Sequence, residues 1–299
     1  VWISTNNGVN RMDKETGRFD HFFHSPSDPE GLSNNIVRVI FEDSKGNIWF
    51  GSESGNLDKL VGDPDAKKLK FRHYQIQEIS QANVGDESVI SIDEDHEGAF
   101  WVGTHGKGVS RFFPGTRRYV QYRSNPAQPG SLSYDIVRFA HVDSKNRVWL
   151  GTDGGGLNLF NGQHETFTVF LHKPGDHESM SSNYLLCAYS SPAQPGTLWI
   201  GTHGGGLVKM NLETGKCVNY NKKHGLPNNV VYGILEATTP GEEMHVIENG
   251  DKRSPGKIGK LWLSTNNGLC EFDPVTLDAR SYNRGDGLQS DEFNGNAYY

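Results

Sequence analysis

Leu198-Trp199-Ile200-Gly201-Thr202-His203-Gly204-Gly205-Gly206-Leu207 is the stretch on which the reading of this chain turns. Its opening words return as Val1-Trp2-Ile3-Ser4-Thr5, Ile48-Trp49-Phe50-Gly51-Ser52, Phe100-Trp101-Val102-Gly103-Thr104, Val148-Trp149-Leu150-Gly151-Thr152 and Leu261-Trp262-Leu263-Ser264-Thr265. All six tryptophans occupy this one place, at spacings of 47, 52, 48, 50 and 63 residues. One supersecondary unit is written six times, and a period of about fifty residues points to a propeller or solenoid.

Each copy carries four short apolar segments, a to d, which in the second copy fall at 36–41, 47–52, 56–61 and 70–75. The a–b connection opens on Asp and closes near Gly or Asn, as in Asp43-Ser44-Lys45-Gly46 and Asp143-Ser144-Lys145-Asn146. A tight hairpin needs that chemistry, because its closing residue takes a positive φ. The alternating acidic pattern of a calcium loop is absent, so these are read as turns. Segment b is apolar on both sides of its tryptophan, the pattern of a strand buried on both faces. The b–c turns are glycine-rich, but a strand follows where a phosphate cradle would need a helix. Segment d is rich in aromatic residues, as an outer strand would be. The expected fold is therefore all-β: a β-propeller of four-stranded antiparallel blades with six Trp-containing repeats visible.

The repeat runs from Trp2 to Trp262 with no linker, so 1–299 is read as a single domain. Residues 1–24 supply segments b, c and d without a, and 293–299 supply an a with nothing after it. The two either close a six-bladed ring or belong to a seven-bladed parent. The chain opens inside a repeat at Val1 rather than at Met, which reads as a fragment of a larger protein. The copy ending at Trp262 carries an insertion near 239–259, expected as a surface loop. A net charge of -7 spread along the chain, with no basic stripe, argues against nucleic acid. No apolar run is long enough to span a bilayer, so membrane contact is not expected of this segment. Cys187, Cys217 and Cys270 lie in three different repeats without metal-ligand spacing and are expected as buried single thiols.

The repeat resembles the propeller repeats of bacterial hybrid two-component sensors, which read roughly G-L-S-x-N-x-V, then D-x-x-G-x-L-W-I-G-T-x-x-G-G-L. Leu226-Pro227-Asn228-Asn229-Val230 and the stretch from Leu198 to Leu207 carry the likeness most closely. So does Gly287-Leu288-Gln289-Ser290-Asp291-Glu292-Phe293-Asn294-Gly295 near the end. The third copy departs from it, with Asp86-Glu87-Ser88 in place of Ser-x-Asn. The resemblance implies a seven-bladed parent propeller lying in the periplasm, outside the inner membrane. It implies further a sensor dimer, a histidine kinase in the missing C-terminal part, and oligosaccharide sensing coupled to polysaccharide-utilisation genes.

In a propeller, the b–c and d–a connections emerge on one face beside the central channel. That face is expected to collect Asn6, Glu53, His105, Asp153, His203 and Asn266 from the b–c turns. From the starts of segment a it would collect Asn35, Glu87, Asp135, Asn183, Asn229 and Asp291. A little further along segment a, one repeated position reads Arg38, Ile90, Arg138, Leu186, Tyr232 and Asn294. Variation at a fixed place in a repeated unit is where specificity for one ligand can be written. Arg38, Arg138, Tyr232, Asn294, His105, Asp153 and His203 are accordingly the candidate ligand-binding residues, suited to an oligosaccharide or another small polar molecule. The arginine forks would also suit a uronate or sulfate. No catalytic residue, metal site or cofactor is assigned. His105 and His203 sit in equivalent turns, two blades apart, without a third ligand nearby.

Three functions follow as alternatives: a non-catalytic ligand sensor, an enzyme using paired carboxylates among Glu53, Glu87, Asp135 and Asp153 as a glycosidase or streptogramin-type lyase, and a structural or dimerisation scaffold. The family words favour the sensor.

Overall fold

A computed structural model describes residues 1–76, 87–237 and 258–293. It is all-β, a β-propeller built from consecutive antiparallel sheets. The first blade holds β1 (Trp2–Thr5), β2 (Gly8–Met12) and β3 (Phe19–Phe22). The second holds β4 (Val37–Glu42), β5 (Ile48–Ser52), β6 (Asn56–Val61) and β7 (Lys70–Gln75). The third holds β8 (Val89–Glu94), β9 (Phe100–Thr104), β10 (Val109–Phe113) and β11 (Arg118–Tyr122). The fourth holds β12 (Val137–Val142), β13 (Val148–Thr152), β14 (Leu157–Asn161) and β15 (Thr166–Phe170). The fifth holds β16 (Leu185–Tyr189), β17 (Thr197–Thr202), β18 (Leu207–Asn211) and β19 (Cys217–Tyr220). The sixth holds β20 (Val231–Glu236), β21 (Leu261–Thr265), β22 (Gly268–Phe272) and β23 (Ala279–Tyr282). Spatial order follows chain order within each sheet, so segment d is an outer edge in every blade.

The residues gather into two compact units. One comprises Val1–Thr152 with Asn158–Thr168, the other Asp153–Leu157 with the chain from Val169 onward. Neighbouring blades within each unit pack inner strand against inner strand, β4 on β8 and β8 on β12 in the first, β16 on β20 in the second.

Three local devices make the blade. The hairpins joining segments a and b close on Gly46, Gly98 and Asn146, at φ of +75°, +78° and +61°. Each is opened by an aspartate whose carboxylate is used twice. Asp43 accepts from the backbone N–H of Lys45 and Asn47, and from the indole N–H of Trp49 at 2.9 Å. Asp95 and Asp143 accept the indoles of Trp101 and Trp149 in the same way, at 3.1 and 3.0 Å. A cation then covers the indole. Lys59, Arg111 and Lys209 lie on strand c opposite Trp49, Trp101 and Trp199 and stand 5.2–5.5 Å from the ring centres.

The third device is the glycine after the tryptophan. A Cβ at Gly201 would sit 2.5 Å from Cys187 Sγ and 2.5 Å from the carbonyl oxygen of Val231 in the next blade. The blades approach so closely that only a missing side chain fits, while Trp49, Trp101, Trp149 and Trp199 fill the seams at 1% exposure or less.

Some expectations need correction. Trp2 and Trp262 are only half-buried, so double burial holds for the four internal copies of the repeat alone. The first blade has three strands among the described residues. Short 3-10 turns at Lys222–His224 and Arg284–Asp286, each capped by an asparagine side chain, are the helical turns among the described residues. The three cysteines are free and buried as expected, and burial pushes each thiol up to about 12. All but the last two residues of the insertion at 239–259, and the stretch after Phe293, lie outside the described residues.

Candidate ligand-binding face

The end of each blade that carries the b–c turn is tied to the d–a loop that follows it. The amide of the turn's last glycine donates to the carbonyl of the residue closing that loop: Gly8 to Asn35, Gly108 to Asp135, Gly156 to Asn183, Gly206 to Asn229 and Gly268 to Asp291. The same Asn or Asp uses its side chain to close its own loop. Asn35 Oδ1 accepts from His24 N, Asp135 Oδ1 from Ser124 N, Asn183 Oδ1 from His172 N, Asn229 Oδ1 from Lys222 N and Asp291 Oδ1 from Arg284 N, all between 2.6 and 2.9 Å. In each of these five residues one side-chain oxygen is engaged by the loop that the residue closes.

The b–c turns are braced a second time. Thr5, Thr104, Thr202 and Thr265 donate their hydroxyls to the carbonyls of Gly8, Gly108, Gly206 and Gly268. A threonine ends the Trp word in most copies because its hydroxyl spans the turn, a role additional to its preference for strands.

The variable position of segment a has a structural identity that residue types alone do not reveal. In β4, β8, β12, β16 and β20 the ladder skips one residue. The pairs run Val37 to Ser52 and then Val39 to Gly51, and so on, so the register skips Arg38, Ile90, Arg138, Leu186 and Tyr232 at five successive bulges. A bulge bends its strand and re-aims the extra side chain, and bulges concentrate beside functional sites. A place of the inner strand that varies between copies is thus one that the ladder register skips.

In the first unit, Arg38 donates from Nη1 to Asn6 Oδ1 at 3.3 Å and from Nη2 to Glu53 Oε1 at 3.2 Å. Asn6 lies in the b–c turn of the first blade and Glu53 in that of the second. The fork is therefore oriented across a blade seam, with donors left over and 40% of the side chain exposed. Arg138 stands at the equivalent bulge of the fourth blade, half-buried and engaged in an interaction of its own. His105 is exposed, its amide bonded to the carbonyl of Ser88. Glu87 is buried beside Lys107 at 3.9 Å, and Asp135 receives Arg123 at 2.8 Å.

In the second unit, Asp153 forms a β-bridge with Tyr184, and the amide of His203 donates to the Tyr184 carbonyl at 2.9 Å. Two of the expected residues therefore flank a third that residue reading passed over. Tyr184 is 54% exposed and precedes the bulged strand β16. Its signal was available: the same place in the other copies carries Ile36, Ser88, Ile136, Val230 and Glu292. Tyr232 lies at the bulge of β20, half-buried. Asn294 lies outside the described residues. Among the described residues no group of three or more His, Cys, Asp or Glu side chains is placed to hold a metal.

Residues 31–54 match the model of the two component regulator propeller family, and they contain Asn35, Arg38, Asp43, Trp49 and Gly51, the parts just described. Over these residues the chain matches the two-component regulator propeller repeat. A relative, histidine kinase P4 of Formosa agariphila, is 27% identical over 271 residues, covering 89% of this chain and 17% of that protein. The extracellular domain of a hybrid two component system from B. thetaiotaomicron superposes with a TM-score of 0.63 at 23% identity, over 87% of this chain and 32% of that one. Virginiamycin B lyase from Staphylococcus aureus reaches the same TM-score at 14% identity, over 94% and 79% of the two chains. At such identities the two structures share the fold with this chain, and the fold alone does not assign chemistry. This propeller spans a small part of its curated relative. Among the described residues no helix is long and apolar enough to cross a membrane.

Proposed function

We propose that this chain is a non-catalytic, ligand-sensing propeller of a periplasmic sensor, and that its ligand is an oligosaccharide read by the bulged inner-strand residues. The observation that carries the reading is the coincidence at Arg38, Ile90, Arg138, Leu186 and Tyr232. There a position that varies between copies coincides with the β-bulge that the ladder register skips. The family repeat, and the likeness to a histidine kinase and to an extracellular sensor domain, support a signalling setting. In that setting the parent is a dimer that controls polysaccharide-utilisation genes through a kinase elsewhere in its chain.

The electrostatics of the first unit favour a neutral ligand over a uronate or sulfate. Glu53 stands 3.2 Å from Arg38 and already neutralises it, while the fork's remaining donors suit hydroxyl groups. The enzymatic alternative is less well supported. Glu53, Glu87 and Asp135 each stand beside a cation, Arg38, Lys107 and Arg123.

The test is to screen the chain by thermal shift against neutral, uronic and sulfated oligosaccharides and to titrate those that shift it. Arg38→Ala and Tyr232→Ala are expected to weaken a binder about tenfold each while leaving the unliganded melting temperature within about 2 °C. Unchanged affinity in both variants would remove the bulge row from the site.

A further inference from the structure

We infer that His73 and Asp58 form a proton-operated latch on the loop at 23–36, which leads from β3 to the bulge at Arg38. The inference stands on its own geometry and does not need the saccharide reading. Asp58 on β6 pairs across the sheet with His73 on β7, and its side chain is 1% exposed. One of its oxygens accepts from the amide of Ser33 in the loop at 2.7 Å, and the other lies 2.7 Å from His73 Nδ1. The second nitrogen of the same ring, Nε2, lies 3.1 Å from the carbonyl oxygen of Pro29, also in the loop.

An ionised carboxylate and a backbone carbonyl can only accept, so a ring that serves both must donate from both nitrogens, which takes the imidazolium form. Neutral His73 keeps one of the two bonds and turns a lone pair toward the other acceptor. Burial would lower the pKa of His73, but the hydrogen bond and charge of Asp58 and the Pro29 carbonyl outweigh it and raise it above 6.5. The latch is therefore closed below 6.5 and opens as pH rises through the higher folded-state value. The other charged groups around it do not share this behaviour. Asp28 and Glu30 in the loop face Lys68 and Lys70 at 2.9 and 2.7 Å, ion pairs of a type that holds its charge near neutral pH. His24 bonds through Nδ1 to the Leu32 carbonyl at 2.6 Å, a contact that the cation and one neutral tautomer make alike. Lys59 and Arg72, next along the two strands, project from the opposite face of the sheet.

The repeat does not require the charge. Asn10, Ser110, Asn158, Val208 and Cys270 stand at the place of Asp58 in the other copies, none of them a carboxylate. In the fourth blade Asn158 Oδ1 accepts from Ser133 N at 3.0 Å, the same loop bond that Asp58 makes to Ser33. In the fifth, Asn219 stands at the place of His73 and donates to the Ser179 carbonyl of its own loop at 2.8 Å. Uncharged side chains thus hold this loop elsewhere, and the second blade holds it with a pair that a proton controls.

The test is NMR on the full chain, with the His73 ring signal assigned by its loss in His73→Asn. That ring is expected to titrate above 6.5. The exchange protection of the Ser33 amide, corrected for intrinsic rate, is expected to fall about tenfold between about pH 5.5 and about pH 8.5. Asp58→Asn copies Asn158 and His73→Asn copies Asn219, so both are expected to fold. In each of them the protection should change less than about threefold over the same range, because no proton controls the loop. A His73 ring that titrates at or below 6.5, or a Ser33 amide whose protection in the parent chain is indifferent to pH, would overturn the latch. So would an undiminished tenfold fall in either variant.

Discussion

The carboxylate of Asp143 accepts the indole N–H of Trp149 at 3.0 Å and the Nε–H of Arg147 at 2.6 Å, while Arg147 lies over the same indole. One buried acid therefore closes the hairpin, satisfies the largest side chain of the blade and holds the cation that covers it. Removing the acceptor leaves the indole N–H and two turn amides unpaired in the interior. Asp143→Ala is expected to cost about 2–3 kcal/mol in urea unfolding. A loss below about 0.5 kcal/mol would mean that the turn forms without it.

The fifth blade offers the internal control. Ser191 stands where the second, third and fourth blades place the aspartate, its a–b connection is longer, and the indole N–H of Trp199 is buried without a partner among the described residues. Trp149→Phe and Trp199→Phe remove the same volume, but only the first breaks a hydrogen bond to a charged group. Trp149→Phe is therefore expected to cost at least about 1 kcal/mol more than Trp199→Phe. Equal losses would show that the Asp–indole bond contributes nothing net.

Two half-buried groups at the other end of the inner strands set opposed pH dependences. Burial pushes Asp93 up to about 6 despite hydrogen bonds from Val142 and Glu94, and burial brings His141 down to about 4. Their side chains stand 4.0 Å apart. The folded protein holds the Asp93 proton more tightly than the unfolded chain does, so that group lowers stability as pH rises from 3.8 to about 6. His141 binds its proton less tightly when folded, so it raises stability over pH 4 to 6.5. In the parent chain the two largely cancel. Asp93→Asn should leave stability rising with pH between 4 and 6.5, and His141→Gln should leave it falling between 4 and 6. Unfolding titrations read the sign directly, and slopes of the same sign in both variants would refute the assignment.

The hairpin aspartates act at lower pH. Burial would raise Asp43 and Asp143, but the indole and backbone hydrogen bonds outweigh it and hold both below the usual value of 3.8. Their contribution is present above that value and is lost as pH falls through the lower folded-state value. Acid unfolding should therefore steepen below pH 3.8 in the parent chain, and less so in an Asp43→Asn, Asp143→Asn double variant.

The seam glycine gives a steric test. Gly201→Ala forces a Cβ to within 2.5 Å of Cys187 Sγ and the Val231 carbonyl, whereas a Cβ at Gly115 meets nothing within 4 Å. Gly201→Ala should cost about 1–3 kcal/mol and Gly115→Ala well under 1. Comparable losses would show that the blades can part without penalty.

These relationships also explain what could be read without coordinates. The tryptophan words announced the sheets, and strands c and d of the second blade fall where the apolar runs place them. Strand a came out one residue late, at Val37–Glu42 rather than 36–41, because the residue before it is spent on the loop. The Asp–Trp bond was visible only as a repeated six-residue spacing, since a turn-opening aspartate looks the same whether or not it accepts an indole. The loop-closing hydrogen bonds of Asn35 and Asn183 were not legible, because an asparagine that caps a loop and one that meets a ligand are the same residue. The bulge at Arg38 leaves no mark in composition and exists only in the register of β4 against β5. Tyr184 was hidden by its context, one aromatic among strands where aromatics are common.

The account is tested most directly by calorimetric titration of the chain with neutral oligosaccharides, with the saccharide recovered afterwards and its length checked by chromatography. It predicts saturable heat from at least one saccharide, recovered intact, with the heat diminished in Arg38→Ala or Tyr232→Ala. Recovery of shortened or unsaturated products would contradict it by making the propeller an enzyme, and the absence of heat from every saccharide would contradict it by making this segment a scaffold.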